Sequence, residues 1–195
     1  MAMNFDVAII GGGLAGMTAA LALHRAGLST AVISSGRSIH AVDYRTFRSE
    51  GGTLLLGDSA ERIDGHSIYT SRLGSSTPID AGIIVLAGGK FFGGGIVSDM
   101  EGIKEPLLGA DVECDGTLFA ADFMDEQPFM RFGVKTDADC HVLIGGSAAK
   151  YVFACGEILA GISAADKDSD RQITDSALKV AQKIISDAGK GNQQV

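Results

Sequence analysis

Residues 6–34 read DVAIIGGGLAGMTAALALHRAGLSTAVIS, and this stretch constrains the fold more than any other. Residues 5–10 form a short apolar, β-branched run, which predicts a fully buried parallel strand. Residues 14–26 carry apolar side chains at helical spacing, and Gly27 is well placed to end that helix in a left-handed conformation. A second buried strand is predicted over residues 29–34. The stretch therefore predicts one βαβ unit.

The glycines between the first strand and the helix form the pattern G-x-G-x-x-G. Gly11 permits a tight turn, Gly13 lets a pyrophosphate approach the backbone, and Gly16 lets the helix pack closely on the strand. At Leu14 and Ala15 the helix begins, and its free N–H groups attract an anion. This context favours a dinucleotide-binding site over a merely structural turn.

The second strand ends at Ser34, where a dinucleotide site usually places an acid. An acid there would accept hydrogen bonds from the ribose of adenosine, whereas Ser34 and its neighbour Ser35 can form only weaker neutral ones. No basic residue stands at that position to select a 2′-phosphate, since Arg37 follows three residues later. Binding of an adenine dinucleotide is compatible with these residues but is not required by them.

The residues that follow, up to residue 130, differ in character from this unit. Residues 36–50 are mostly polar and predict either a short helix or an irregular connection. Residues 51–80 contain short runs separated by turn-forming residues and predict a small antiparallel β-meander. Residues 81–89 predict another buried strand that ends in glycines, and residues 90–130 a long loop with a function.

The C-terminal part predicts strands followed by a helix. Residues 131–161 predict two or three strands, of which the last is YVFAC. Ser169 and Gln172 have capping-box spacing, and the helix that starts there should end at Gly189, with the last six residues frayed. Its predicted buried positions are Ile173, Ala177, Val180, Ala181, Ile184 and Ile185.

Charge and composition exclude several classes of protein. The net charge is −8 and the basic residues are scattered, which argues against nucleic acid or an anionic membrane as a partner. No run predicts a signal peptide or a membrane span, so a cytoplasmic protein is expected. Cys114, Cys140 and Cys155 are widely spaced and predict reduced structural thiols rather than a metal site.

Two further junctions between a strand and glycines resemble the downstream signatures of flavoproteins built on two dinucleotide-binding domains. The first is IIVLAGG, which places Gly88 and Gly89 after a strand. The second is VFACGEILAG, in which Gly156 allows a close backbone approach and Glu157 matches the acid that approaches the flavin ribityl and phosphate groups. An ordinary surface acid is the alternative for Glu157.

Four longer segments carry a more specific resemblance. LAGGKFFGGGIV at 86–97, EGIKEPLLGADV at 101–112, FGVKTDADCHV at 132–142 and VFACGEILAG at 152–161 occur in this order after the N-terminal IIGGGLAGMTAAL. Together they resemble the B subunit of the anaerobic, quinone-linked glycerol-3-phosphate dehydrogenases. The resemblance implies a flavin, FAD by its fold or FMN by the family description, and conversion of glycerol 3-phosphate to dihydroxyacetone phosphate.

The same resemblance implies partners. These are a catalytic flavoprotein subunit and an iron–sulfur subunit that would hold the chain at the periphery of the inner membrane. A homo-oligomer is also compatible with the sequence.

The chain departs from this family in two places. Family members are about twice as long, and the segment that should follow Ser38 and cover the flavin is absent here. Residues 166–171 contain five charged side chains where the family has a glycine-rich helix start, and a negative loop there would repel phosphate. These departures leave open a second interpretation, a shortened nucleotide-binding or assembly module with weak or no flavin.

We therefore predict one Rossmann-like α/β domain over residues 1–195, of the FAD/NAD(P)-binding type. It would have a parallel central sheet, a β-meander at about 51–80 and no separate substrate-covering domain. No catalytic constellation is visible, and the four histidines His24, His40, His66 and His141 are expected to be structural or solvated. Solvation is also the first expectation for Lys90, Lys104, Arg131 and Lys135, although they could contact phosphate or a partner. Phe91 and Phe92 could lie against a flavin ring or pack in the core.

Overall fold

The computed structural model describes residues 2–36, 41–114 and 116–191, and within these residues a mostly parallel sheet forms the centre of the fold. The strands of this sheet are β1 (Met3–Ile10), β2 (Thr30–Ser34), β3 (Thr53–Leu56), β4 (Ala60–Asp64), β5 (Ser67–Thr70), β6 (Gly74–Leu86), β11 (His141–Ile144) and β12 (Ser147–Ala154). Their order along the sheet is β11-β12-β6-β1-β2-β3, and β5 also pairs with β6. The helices are α1 (Leu14–Arg25), α2 (Ala41–Ser49) and α3 (Ser169–Gly191).

The predicted βαβ unit is present at the middle of this sheet. β1 pairs in parallel with β2 on one side and with β6 on the other, and all five residues of β2 are buried. Strands buried on both faces need apolar residues throughout, which explains the uninterrupted Val, Ile and Ala runs. α1 ends close to the predicted position, and Gly27 follows it with φ +90°.

The meander is smaller than predicted, because its first run belongs to the central sheet. β3 pairs in parallel with β2, from Ala31 opposite Thr53 to Ser34 opposite Leu56. The α2 helix supplies the crossover that a parallel pair requires. Within the predicted meander, the antiparallel pairing is that of β4, β5 and the first part of β6. The predicted polar connection is thus helical from residue 41, while residues 37–40 lie outside the described residues.

α1 and α3 cover one face of the sheet and share one apolar cluster with it. Ala177, Val180, Ala181 and Ile184 of α3 are fully buried there, while Ile173 and Ile185 pack against the same cluster. This agrees with the predicted apolar stripe.

The two ends of α3 differ from the prediction. Gln172 bonds to Asp168, through both its backbone N–H and its side-chain amide, instead of forming a capping box with Ser169. The helix also continues past Gly189, where a glycine in an open environment costs only about 1 kcal/mol.

The other face of the sheet carries the segment that was predicted as a long loop. Within it, β7 (Val97–Asp99) pairs in the antiparallel sense with β8 (Gly102–Lys104), and β9 (Val112–Glu113) pairs in the same sense with β10 (Gly133–Val134), which follows the segment. Short 3-10 turns occur at Pro128–Arg131 and Gly156–Ile158. Within the described residues, no helix combines the length and the apolar character that crossing a membrane requires.

Candidate functional site

A cavity of about 440 Å³ lies at the carboxyl ends of the parallel strands. Residues that follow β12, β6, β1, β2 and β3 all line it, so it runs across five neighbouring strands. Since adjacent strands are about 4.8 Å apart, the four spacings amount to about 19 Å. Ligands of open α/β sheets bind at this edge, and so long a cleft suits a cofactor with two nucleotide ends.

The glycine fingerprint forms the turn between β1 and α1 and approaches neighbouring backbone closely. Gly11 has φ +120°, and a Cβ atom built on it would lie 2.1 Å from the carbonyl oxygen of Ala87. A Cβ on Gly16 would lie 1.9 Å from the carbonyl oxygen of Gly11. Both contacts are shorter than any real Cβ contact, so these two positions admit only glycine in this geometry. Gly11 lines the cavity, whereas Gly16 packs the helix behind its wall.

The first turn of α1 forms the central wall of the cavity. Gly13 precedes the helix in an extended conformation, and Gly13, Leu14 and Ala15 all line the cavity. The first N–H groups of a helix have no partner within the helix and carry partial positive charge. The first turn of α1 contains no acidic residue that would compete for them. This wall is therefore suited to bind an anion such as a phosphate.

A second glycine loop, from Gly88 to Gly95, follows β6. A Cβ on Gly93 would lie 1.9 Å from the carbonyl oxygen of Gly88, and a Cβ on Gly95 would lie 2.0 Å from that of Gly89. The loop is thus folded tightly on itself, and all of these glycines line the cavity. Only Gly88 and Gly89 were predicted from the sequence, although the GGG run at 93–95 was a visible signal.

Lys90, within this loop, is buried, contrary to the prediction from the sequence. It was expected to be solvated, but only 5% of it is exposed, and its ammonium donates to the carbonyl oxygens of Phe132 and Leu159. The pKa of Lys90 is lowered to about 8: burial is the main cause, the like charge of Arg131 adds to it, and the opposite charge of Glu157 acts against it. A single lysine between aromatic residues and glycines carries no sequence signal for burial.

Gly156 and Glu157 occupy different positions relative to the cavity. Glu157 lines it, and its carboxylate lies 3.9 Å from the position of a Cβ built on Gly89. Gly156 is not part of the wall. A Cβ there would lie 2.4 Å from the Cβ of Ala15, and its N–H donates to Ser176 Oγ over 2.8 Å. Gly156 therefore brings the turn after β12 close to α1, a contact within the chain itself.

Ser34 and Ser35 line the far end of the cavity together with an acid that was not predicted from the sequence. Asp58 follows β3, is 2% exposed and accepts hydrogen bonds from Thr70 Oγ1, Ser71 Oγ and the N–H groups of Ser59 and Arg72. Burial alone would raise the pKa of Asp58, but these hydrogen bonds outweigh it and hold the pKa below its usual value. Asp58 thus places an acid at the same end of the cavity as Ser34. Its oxygens already accept hydrogen bonds from other residues of the chain.

Two more acids line the cavity. Glu105 is 2% exposed and accepts hydrogen bonds from the N–H groups of Leu107 and Leu108, which fixes the loop after β8. Asp170 lies in the first turn of α3. The charged stretch that leads into α3 is partly neutralised, because Arg131 holds Asp166 through two hydrogen bonds of 2.7 and 3.3 Å.

The two phenylalanines have different surroundings, and contact of either ring with a flavin stays a prediction. Phe91 packs against Phe129 with ring centroids 6.0 Å apart, whereas Phe92 is 82% exposed and lines the cavity. Among the residues that the structure describes, no group of three His, Cys, Asp or Glu side chains is placed to hold a metal ion.

Two of the cysteines are buried, and the three described histidines each contact a polar partner. Cys140 and Cys155 are buried, Cys114 is exposed, and burial raises the pKa of Cys155 to about 12. His24 and His66 each bond to a backbone carbonyl, and His141 contacts Asp137 over 3.1 Å. His40 lies outside the described residues.

Comparison with known proteins defines the class to which this fold and cavity belong. A family model described as an FAD binding domain matches residues 6–76 and 45–167, so most of the chain is covered. The chain belongs to this family of FAD-binding domains, and FAD is the cofactor that the family's description names.

Individual relatives give a more specific comparison than the family model does. The chain is 32% identical over 166 residues to the B subunit of the anaerobic glycerol-3-phosphate dehydrogenase of Yersinia pestis bv. Antiqua (strain Antiqua). It is 31% identical over 163 residues to the same subunit of Pectobacterium carotovorum subsp. carotovorum (strain PC1). Each alignment covers 78% of this chain and 38% of the relative, so the chain spans well under half the length of these proteins. The resemblance inferred from the sequence is confirmed.

Solved structures support the fold alone. An oxidoreductase from Agrobacterium tumefaciens superimposes with a TM-score of 0.61 at 12% identity and covers 95% of this chain and 99% of its own. The thioredoxin reductase of T. acidophilum gives a TM-score of 0.51 at 14% identity, with the same coverage. The predicted Rossmann-like α/β class is therefore confirmed.

Proposed function

We propose that this chain binds FAD in the 440 Å³ cavity and acts as a flavin-dependent oxidoreductase subunit. The observation that carries the proposal is the anion-binding first turn of α1, set between two glycine loops at the carboxyl edge of the sheet. A Cβ at Gly11 would have no room beside Ala87, so the turn carries no side chain at this position. These residues fit a dinucleotide.

Each part of the cavity has a proposed role. The N–H groups at Gly13, Leu14 and Ala15 would hold the pyrophosphate, and the hydroxyls of Ser34 and Ser35 would bind the adenosine ribose. The loop from Gly88 to Gly95 and the carboxylate of Glu157 would hold the flavin half of the molecule. Bound FAD supplies the electron-transfer chemistry, and the protein orients it and sets its electrostatic surroundings.

The substrate follows from the relatives. Because the matched proteins are glycerol-3-phosphate dehydrogenase subunits, we propose that the chain relays electrons from oxidation of glycerol 3-phosphate towards quinone. Its partners would be a catalytic flavoprotein subunit and an iron–sulfur subunit at the membrane. Large exposed apolar side chains support a partner: Phe92, Met100, Leu118, Phe119, Phe123 and Met124 all lie between β6 and β10 and are 47% exposed or more.

Substitution of Gly13 tests the binding site. In Gly13→Asp a carboxylate would stand at the first turn of α1 and repel the pyrophosphate, so we expect FAD affinity to fall at least about a hundredfold. The matched control is Gly65→Asp in the turn between β4 and β5, where nothing lies within 4 Å of an added Cβ and φ is +58°. Aspartate tolerates such a conformation. Fluorescence titration with FAD measures both, and equal affinities would place the phosphate elsewhere.

The electron-relay proposal has its own test. Glycerol 3-phosphate, added without oxygen to the FAD-loaded protein together with a catalytic subunit from a relative, should bleach more flavin than the catalytic subunit alone contains. Bleaching that stops at the flavin of the catalytic subunit would contradict the relay and would leave FAD binding intact.

A further inference from the structure

Lys90 is a feature of the cavity that the glycine fingerprint does not explain. Its backbone carbonyl accepts the N–H groups of Gly94 and Gly95, over 2.9 and 3.1 Å, so the glycine loop closes around this residue. Its side chain is buried instead of extending into water. A lysine is rarely buried without partners, because removing an ammonium from water is costly.

The partners of the ammonium come from two other segments. One is the carbonyl of Phe132, immediately before β10, and the other is the carbonyl of Leu159, over 3.3 Å, immediately after the 3-10 turn that carries Glu157. The side chain of Lys90 therefore joins the loop after β6 to the loop after β12 and to the start of β10. These are the walls that would surround the flavin half of the cofactor.

The charge of Lys90 is isolated within the cavity. Among the described residues that line the cavity it is the sole Lys or Arg, whereas Asp58, Glu105, Glu157 and Asp170 are acidic. Asp58 and Glu105 are engaged by internal donors. The charged groups that act on the ammonium are Glu157 and, from the 3-10 turn Pro128–Arg131, Arg131.

We infer that Lys90 is a positioning residue for the flavin site, whose ammonium fixes the glycine loop and offsets the charge of the anionic cofactor. This inference rests on the proposed function, since it assigns a role within the same cavity. It predicts linkage between protons and cofactor. The negative charge of FAD bound in the same cavity favours the charged form of the ammonium, so FAD binding should take up protons near pH 8, the pKa of Lys90 in the protein.

The sign and size of the effect follow from this linkage. Below pH 8 the ammonium is already charged and FAD binds most tightly, and above pH 8 binding must include the uptake of a proton. If FAD raises the pKa of Lys90 by one unit, affinity falls by about fivefold between pH 7 and pH 9. At pH 8 the uptake should approach about half a proton per FAD, because the group is then half protonated.

The experiment measures FAD affinity at pH 7 and pH 9 for the wild type, Lys90→Met, Lys90→Arg and the control Lys104→Met. Lys104 lies in the neighbouring β8 strand, is about half exposed and pairs with Asp99 over 2.5 Å, so its loss should leave affinity and pH profile unchanged. Lys90→Met should bind about tenfold more weakly at pH 7, with no pH dependence. Lys90→Arg keeps a fixed charge and should bind FAD equally at both values.

Calorimetry in two buffers of different ionisation enthalpy measures proton uptake in the wild type and needs no variant to fold. Uptake near pH 8 that disappears in Lys90→Arg supports the inference. Wild-type binding without uptake, or a Lys90→Met protein that keeps the wild-type profile, overturns the inference alone. A wild type that takes up no FAD at either pH overturns the proposed function, and the inference with it.

Discussion

Replacing Gly11 by alanine should destabilise the protein more than the same change at Gly27. Both glycines have positive φ, +120° and +90°, so both substitutions incur backbone strain of about 1–2 kcal/mol. They differ in their surroundings. A Cβ on Gly11 would lie 2.1 Å from the oxygen and 2.5 Å from the carbon of the Ala87 carbonyl, whereas a Cβ on Gly27 has nothing within 4 Å.

The difference between the two variants isolates the contact between the β1–α1 turn and the end of β6. Overpacking of this kind costs about 1–3 kcal/mol, so Gly11→Ala should lose about 2–5 kcal/mol in total. The entropy that alanine removes from the unfolded chain is common to both variants and cancels. A loss of this size is a large fraction of the 5–15 kcal/mol, roughly, that stabilises a typical domain.

Unfolding in guanidinium chloride, followed by circular dichroism, measures both free energies of unfolding on the same protein background. The slope of each transition shows whether the native state has changed in compactness. If Gly11→Ala proves no less stable than Gly27→Ala, the close approach of the turn to Ala87 is not a constraint on this fold, and the reasoning is refuted.

Contacts of Asp58, Gly156 and Arg131 carry three further predictions. Asp58→Asn should lower the free energy of unfolding by about 2–3 kcal/mol at pH 7. Both carboxylate oxygens of Asp58 accept hydrogen bonds, four in all, and asparagine replaces one of these oxygens by an NH2 group that can only donate. Since the pKa of Asp58 is lowered in the folded state, its contribution to stability is present above about pH 4 and is lost as pH falls through the folded pKa. Urea unfolding between about pH 2 and pH 5 should therefore show a free energy of unfolding that depends less on pH in the variant than in the wild type. Gly156→Ala should destabilise through its 2.4 Å approach to the Cβ of Ala15, and the double variant with Ala15→Gly should recover part of the loss, whereas strict additivity would contradict the contact. Arg131→Met should speed amide exchange at residues 161–170, because the side chain of Arg131 bonds to both Gly161 and Asp166, and unchanged exchange would argue against this anchor.

The parts of the fold that could be predicted from the sequence are those with local signals. The βαβ unit combines two uninterrupted apolar strands, a helical stripe and glycines at fixed spacing, and each signal agrees with the others. β3 was misassigned because TLLL followed by glycine is equally compatible with a hairpin strand. Its parallel pairing depends on the crossover through α2, a nine-residue helix in a stretch that is equally compatible with an irregular connection.

The candidate site divides in the same way. Gly11, Gly13 and Glu157 occupy local patterns, and the structure brings all three to one cavity. Lys90 and Asp58 could not be found from the sequence, because no local pattern marks either residue for burial. Lys90 depends on carbonyls 42 and 69 residues away.

The central claim is that this cavity holds FAD, and the visible absorption spectrum of the purified protein tests it most directly. The account predicts flavin bands between about 370 and 450 nm, and release of FAD, rather than FMN, on heating. A colourless protein that takes up no FAD on titration would contradict the claim, and would favour a nucleotide-binding or assembly module that has kept the fold without the cofactor.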